Sequence, residues 1–260
     1  MLRIVKFLVQ NNFCYDIISS EVNVFLGVCY MWIILVWVIS TLCYLPMYFA
    51  GVGYIVPNTL IQMKYLFVVI PLFISLVCVK KEGRHIKKWF CNMLMQKAEI
   101  EAFALCSVIA LCGISCTRIL GKEAWNLETI LFNTLYLFLM ATLEEIAWRG
   151  YRLDSLLKKT SKLAILVVSF EWAIWHIPMW MIRNSLRGNE IPFWLVYTLC
   201  VGVILGKCMT WYKNILVPII LHTIFNICFL IPIEKNVIIV ACVLLGMLVY
   251  NKLKRIRSDV

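Results

Sequence analysis

Long apolar segments run through almost the whole of this 260-residue chain and constrain its fold more than any other feature. A transmembrane α-helix needs about 20 predominantly apolar residues, whereas a spanning β-strand needs only about 10. Because lipid offers no hydrogen-bond partners to the backbone, segments of this length predict helices. The sequence therefore predicts an all-α polytopic bundle of about eight spans, at 24–49, 60–79, 102–118, 127–145, 162–182, 192–211, 214–233 and 236–251.

The composition supports a membrane protein, since 63% of the residues are hydrophobic and 15% are charged. Soluble domains are about half apolar and a quarter charged, which excludes a typical soluble enzyme, a disordered chain and a secreted disulfide scaffold. The apolar stretch within residues 1–23 is too short to span and is interpreted as an interfacial helix. A single bundle is predicted over 24–251, with a basic cytoplasmic tail at 252–260.

The basic residues are distributed unevenly between the two sides of the predicted bundle. Nineteen of the 25 Lys and Arg residues fall on the side that holds both termini, and five fall on the other side. The positive-inside rule therefore predicts that the N- and C-termini are cytoplasmic. The net charge of +11 is interpreted as topology signal and as contacts with anionic lipid headgroups. Nothing in the sequence resembles a nucleic-acid recognition fold, so no nucleic-acid partner is expected.

Proline and glycine residues predict irregularities within the spans. The first span is expected to tilt or break near Pro46, because proline removes a helix hydrogen bond. Pro178 is expected to bend the fifth span for the same reason. Gly202 and Gly206 form a GxxxG pair in the sixth span, which predicts close packing against another helix.

Two adjacent carboxylates end the fourth predicted span. An ionised side chain at membrane depth costs at least about 2.5–3.5 kcal/mol, so Glu144 and Glu145 are candidates for a function. Glu145 and Arg149 are four residues apart on one helix face and are expected to pair. Glu144 points about 100° away from Glu145 and is free to face a different cavity.

Histidine and asparagine side chains lie in two further spans. His222 and Asn226 are four residues apart, so the imidazole and carboxamide can project toward one point. His176 lies in the fifth span, while Glu171 lies on another face of that helix and is interpreted as structural or accessory. Three separate helices thus contribute side chains of catalytic type.

Together these residues resemble the CAAX-protease and bacteriocin-processing family of intramembrane peptidases. The family pattern is EExxxR, then FxxxH, then HxxxN, on successive helices of an eight-helix bundle. The resemblance covers roughly residues 100–230, and both order and spacing agree. The corresponding motifs here are Glu144-Glu145-xxx-Arg149, Trp172-xxx-His176 and His222-xxx-Asn226.

The resemblance implies hydrolysis of a peptide bond by an endopeptidase site within the membrane. Glu144 with His176 would activate the attacking water. His222 and Asn226 would stabilise the developing oxyanion, a role in which each donor can be worth about 10²–10³ in rate.

The same resemblance assigns supporting roles to the remaining motif residues. Glu145 and Arg149 would hold the site together. Trp172 stands where the family usually has Phe, and it is expected to be a packing residue that affects the shape of the pocket.

The sequence leaves the role of a metal open. Glu144, His176 and His222 could bind Zn²⁺ and leave a fourth position for water. Metal-free catalysis by Glu and His, with an Asn as oxyanion donor, accounts for the same residues and also explains Asn226. Catalysis without a cofactor is therefore the favoured expectation.

By resemblance, the substrate is a membrane-associated peptide or protein, either prenylated or of the bacteriocin type. The expected location is a bacterial cell membrane, with the active site toward the cytoplasmic leaflet, in a processing or self-immunity role. Two alternative functions stay open for the same residues. One is a non-catalytic binding or immunity scaffold of the same fold. The other is a proton-coupled transporter that uses the glutamates and histidines as a relay.

Overall fold

The structure is a computed structural model, and it describes residues 31–95, 127–158, 163–182 and 190–228. Every regular element in these ranges is helical, as the sequence predicts. The α-helices are α1 (31–42), α2 (Leu45–Gly51), α3 (Asn58–Ile61), α4 (Leu66–Lys81), α5 (Ile86–Leu94), α6 (Leu127–Glu145), α7 (Asp154–Leu157), α8 (Ala164–Trp175), α9 (Ile177–Ile182), α10 (Ile191–Tyr212) and α11 (Leu216–Cys228).

Four continuous helical segments in the described ranges are long and apolar enough to cross a membrane. The predicted span 127–145 is the helix α6, and the predicted span 214–233 begins with the shorter apolar helix α11. The predicted spans 102–118 and 236–251 lie outside the described residues, so the count of eight stays a prediction. The four segments are Met31–Gly51, Asn58–Lys81, Ala164–Ile182 and Ile191–Tyr212.

Both predicted breaks are present in the structure. A turn at Cys43 and Tyr44 separates α1 from α2, which has Pro46 at its N-terminus, where a missing N–H costs no hydrogen bond. His176 separates α8 from α9, and Pro178 lies in the first turn of α9. The second break places a histidine at a bend in the middle of the bundle.

A π-helical segment, Ile146–Leu153, joins α6 to α7 and was not predicted. All eight of its residues are buried. Wide turns of this kind occur mostly as short insertions in α-helices and often lie at functional sites. Here the segment follows Glu144 and Glu145 directly, and it contains Arg149.

The GxxxG pair packs α10 closely against α8, which confirms the predicted contact. A Cβ atom on Gly202 would lie 2.9 Å from Cβ of Ser169, and one on Gly206 would lie 2.8 Å from Cγ2 of Ile165. Because these distances are shorter than normal van der Waals contact, larger residues would push the two helices apart.

Large aromatic side chains fill the core between α1, α4, α8 and the π-helical segment. Phe67 stacks on Trp175 with 4.0 Å between ring centroids, and Trp148 lies 5.7 Å from Trp175. Trp32 meets Trp148 edge-on at 5.1 Å. Trp175, which is 1% exposed, is therefore a core residue.

The two ends of the bundle differ in charge. The end at which 83–93, 149–158 and 209–213 come together is called the basic end. The opposite end contains the end of α2, the start of α3, the end of α9 and the start of α10. The residues of the basic end are those that the charge distribution predicts to be cytoplasmic. The two chain termini lie outside the described residues, so their side remains a prediction.

Candidate active site

A cavity of about 800 Å³ lies inside the bundle, and the residues of all three motifs meet at its wall. Helix α6 contributes one glutamate, the α8–α9 bend contributes a histidine, and α11 contributes two residues one turn apart. The motif residues that line it are Glu144, Trp172, His176, His222 and Asn226.

Glu144 and His176 face each other across the cavity. The distance from Glu144 Oε2 to His176 Nε2 is 3.9 Å, too long for a direct hydrogen bond but short enough for both atoms to contact one water molecule. His176 Nδ1 donates to the carbonyl oxygen of Trp172 at 2.8 Å. Since a carbonyl only accepts, Nδ1 carries a proton, and Nε2 is the ring nitrogen that faces Glu144.

Trp172 is more than the packing residue that the sequence predicts. Its Nε1–H donates to Glu144 Oε2 at 2.9 Å. Its ring also meets His176 edge-on at 4.9 Å and His222 edge-on at 5.2 Å. One indole therefore fixes the carboxylate and both imidazoles, a role that the position of Trp172 four residues before His176 did not reveal.

Glu145 lies behind the cavity wall and joins two motifs. It is fully buried, and its Oε1 accepts from Arg149 Nη1 at 2.8 Å and from His222 Nδ1 at 2.8 Å. The predicted i, i+4 pair is thus present, and it also orients a histidine from another helix. Arg149, which is 1% exposed, reaches Gly202 O at 3.4 Å and stacks over Trp172 with its Cζ 4.6 Å from the ring centre.

Glu171 has a structural partner outside the cavity. Arg152 donates to it through two nitrogens, with an Nε to Oε2 distance of 2.7 Å, and both side chains are buried. This bidentate pair ties the π-helical segment to α8 one residue before Trp172. The sequence placed Glu171 on a separate face correctly, but the wide π-helical turn that brings Arg152 to it could not be anticipated.

One further polar group in the cavity wall had no sequence signal. Thr198 on α10 lines the cavity and is 3% exposed, and its Oγ1 has no hydrogen-bond partner within the described ranges. Threonine in a span commonly bonds its own helix backbone, and this hydroxyl makes no such bond in the described ranges.

The proposed zinc ligands do not form a compact three-ligand site. Among the described residues, no three His, Cys, Asp or Glu side chains are grouped closely enough to hold a metal ion. Glu144 Oε2 already accepts from Trp172, and His222 uses Nδ1 for Glu145. His176 likewise uses Nδ1 for the carbonyl oxygen of Trp172, so within the described ranges both histidines keep Nε2 for a water molecule or another ligand.

The cavity extends away from the basic end. From Glu144 its wall continues to Met47 on α2, Lys64 before α4 and Trp194 near the start of α10, all of which belong to the opposite end. The sequence predicts that the basic end is cytoplasmic, and the resemblance implies an active site toward the cytoplasmic leaflet. Because the cavity extends away from the basic end, the basic end and the active site cannot both face the cytoplasm.

Comparison with known proteins supports the same family. The family model described as Rce1-like, type II CAAX prenyl endopeptidase Rce1-like, matches residues 126–228, which include all three motifs. The protein named CAAX prenyl protease 2 from Methanococcus maripaludis is 29% identical over 183 residues, which are 60% of this chain and 67% of that protein. Both matches support protease activity, and with the apolar helices they support an integral membrane location. Over residues 126–228 the chain is thus similar to type II CAAX prenyl endopeptidases, as its three motifs predict.

Proposed function

We propose that this protein is an intramembrane endopeptidase whose catalytic groups are Glu144, His176, His222 and Asn226. The observation that carries the proposal is their meeting in one cavity of about 800 Å³, within the segment that matches the family. A cavity of this size accommodates several residues of an extended peptide.

The first step is attack by a water molecule held between Glu144 and His176. The water donates one proton to the base formed by these two groups, and its oxygen bonds to the carbonyl carbon of the scissile peptide. The carbonyl π-electrons move to oxygen and give a tetrahedral oxyanion. The 3.9 Å separation of the two atoms supports a shared water, and the buried site strengthens the proton transfer.

The oxyanion is stabilised by Asn226 and His222. The carboxamide of Asn226 donates directly. Because His222 Nδ1 already donates to Glu145, the ring can donate through Nε2 only when it carries both protons. Glu145 holds the His222 ring through this hydrogen bond, so it acts on the transition state through His222 and is a positioning residue.

Collapse of the intermediate completes the reaction. The oxyanion electrons re-form the carbonyl, the carbon–nitrogen bond breaks, and the proton taken from water passes from the Glu144–His176 base to the leaving amine. The products are a new carboxyl terminus and a new amino terminus, so no redox partner or cofactor is consumed.

We propose further that the basic end is cytoplasmic and that the cavity extends toward the opposite leaflet. The positive-inside rule outweighs the implied orientation here because nineteen basic residues lie on one predicted side and five on the other. A substrate that reaches the site from that leaflet is a membrane-associated peptide already exported or spanning the bilayer, which favours peptide processing over removal of residues from a cytoplasmic prenylated protein.

Orientation is tested by labelling intact cells with a membrane-impermeant maleimide. A cysteine at Tyr54, which is 67% exposed at the opposite end, should add one label to the wild-type pattern. A cysteine at the exposed Lys213 of the basic end should add a label only after the cells are lysed. The reverse pattern would place the cavity on the cytoplasmic side.

Proteolysis is tested by comparing membrane-associated and secreted peptides from cells that carry wild type or Glu144→Gln at equal expression. The amide keeps the shape but cannot accept the proton, so a peptide truncated only by the wild type is expected. Glu190→Gln, outside the cavity, is the matched control and should cleave normally. Identical peptide pools with a phenotype preserved in the variant would instead support a binding or immunity scaffold.

A further inference from the structure

A second large pocket lies at the basic end, separate from the active site. Its volume is about 780 Å³, and it is enclosed by the loop after α4, helix α5, the π-helical segment with α7, and the end of α10. The helices that could span the membrane end at Lys81 and Tyr212, just before residues of this pocket. The pocket therefore lies at the level where a span meets lipid headgroups.

The walls of this pocket carry a strong excess of positive charge. Asp154 is the one carboxylate among the lining residues, and it is shared by Arg84 at 3.4 Å and Lys158 at 2.7 Å. Lys88 and Lys213 line the pocket with no ion pair to any described residue, and both are exposed. The cationic side chains in the wall are Arg84, Lys88, Arg149, Lys158 and Lys213.

Two residues of the wall are almost completely buried. Arg149 is 1% exposed, and its Nε–H has no hydrogen-bond partner in the described ranges. Trp89 is 5% exposed, and its Nε1–H likewise has none. The unpaired lysines of the wall favour an anionic ligand, and phosphate supplies several acceptor oxygens together with the negative charge that these lysines match.

Helix α5 makes a lipid the best source of that phosphate. Its apolar residues Trp89 and Met93 are buried, while Lys87 and Lys88 on its other side are exposed, as in a helix that lies in the membrane interface. The turn after α10 is held against it by Ile215 N–H, which donates to Met93 O at 3.2 Å. The pocket is thus built onto an interfacial helix.

We propose that this pocket binds the phosphate headgroup of one anionic phospholipid, with Arg149 and Trp89 in its floor and Lys88 and Lys213 at its mouth. Arg149 also pairs with Glu145, so the bound headgroup and the active site share one buried guanidinium. This proposal does not depend on the proposed proteolysis, because it concerns lipid binding alone.

The experiment uses the full chain, delipidated in neutral detergent and titrated with phosphatidylglycerol or phosphatidylcholine under native mass spectrometry. The expected result is one retained phosphatidylglycerol per chain and no retained phosphatidylcholine. Lys88→Gln with Lys213→Gln should weaken retention by about tenfold or more. The matched control replaces Lys80 and Lys207, which are exposed but do not line the pocket, and should bind like wild type.

Three outcomes would overturn the proposal. Equal retention by the wild type and the Lys88/Lys213 variant would show that the pocket is not the site. Equal retention of the two lipids would show that no anion is recognised. Displacement of phosphatidylglycerol by inorganic phosphate at equal concentration would identify a soluble phosphate ligand in place of a lipid. Size-exclusion profiles of each variant confirm that a loss of binding is not a loss of fold.

Discussion

Trp172 donates its indole hydrogen bond to Glu144, and the N···O distance is 2.9 Å. Because the same ring contacts both cavity histidines edge-on, the Glu144 carboxylate and the imidazoles are held in one fixed arrangement. The family pattern that the motifs resemble usually has Phe at this position, and Phe cannot donate such a hydrogen bond. The proposed base therefore has an additional support in this chain.

Replacing Trp172 with Phe should keep the aromatic contacts but remove the hydrogen bond. The carboxylate is then less well oriented, and we expect turnover to fall by roughly tenfold, the worth of about one hydrogen bond, with little change in KM. Steady-state cleavage of the identified peptide measures this effect. Trp194→Phe, elsewhere in the cavity wall, is the control. Unchanged turnover in Trp172→Phe would mean that the hydrogen bond does not serve catalysis.

Arg149→Ala should lower the folded yield strongly. The variant leaves Glu145, which is fully buried, without its cationic partner, and breaking a buried pair in this way costs about 3–5 kcal/mol. Fluorescence-detected size exclusion measures the monodisperse fraction. The double variant Glu145→Gln with Arg149→Met removes both charges and should recover most of the yield while turnover stays low. Normal yield in Arg149→Ala alone would contradict a stabilising pair.

Gly202→Ala should destabilise the protein more than Gly206→Ala. The added methyl at 202 would lie 3.1 Å from Cα of Ser169, which cannot move without its helix, whereas the methyl at 206 meets only the side chain of Ile165. We expect about 1–3 kcal/mol of overpacking at 202, seen as a lower Tm in detergent. Equal Tm values would show that α8 and α10 adjust to each other.

Tyr151→Phe should alter the dependence of stability on alkaline pH. Tyr151 donates to Glu82 Oε1 at 2.8 Å, and burial together with this bond raises the pKa of the phenol well above its usual range. A raised folded-state pKa gives stability that is present below the unfolded pKa of about 10 and is lost as the pH rises further. The Tm advantage of wild type over Tyr151→Phe should therefore be constant from pH 7 to about 9 and shrink above about 10. A constant difference up to about pH 11 would contradict this.

Chelation should leave cleavage intact. Because Glu144, His176 and His222 do not group as a three-ligand site, we expect the rate in phenanthroline to equal the rate without it. A non-chelating isomer of phenanthroline controls for effects on the membrane. Loss of activity that is restored by added Zn²⁺ would show that the cavity rearranges around a metal.

Sequence reasoning identified the long apolar helices because apolar length determines a span, but it did not predict α5 or the π-helical segment. It also found the Glu145–Arg149 pair, since helical spacing fixes that contact locally. It could not find the hydrogen bond from Trp172 to Glu144 or the pair of Arg152 with Glu171, because these depend on how helices rotate against each other after a π-helical turn. The roles of the four cavity residues remain predictions until cleavage is measured.

The close contact between α8 and α10 at Gly202 has a mechanical consequence. Helix α8 carries Trp172 and leads into His176, and it packs so closely on α10 at Gly202 that no side chain fits between Ser169 and this glycine. The α8–α10 side of the cavity is therefore expected to be its rigid wall, against which a peptide is held. Among the described elements, α4 and α6 form the facing side of the cavity, and we expect the widening that admits a peptide and releases its fragments there.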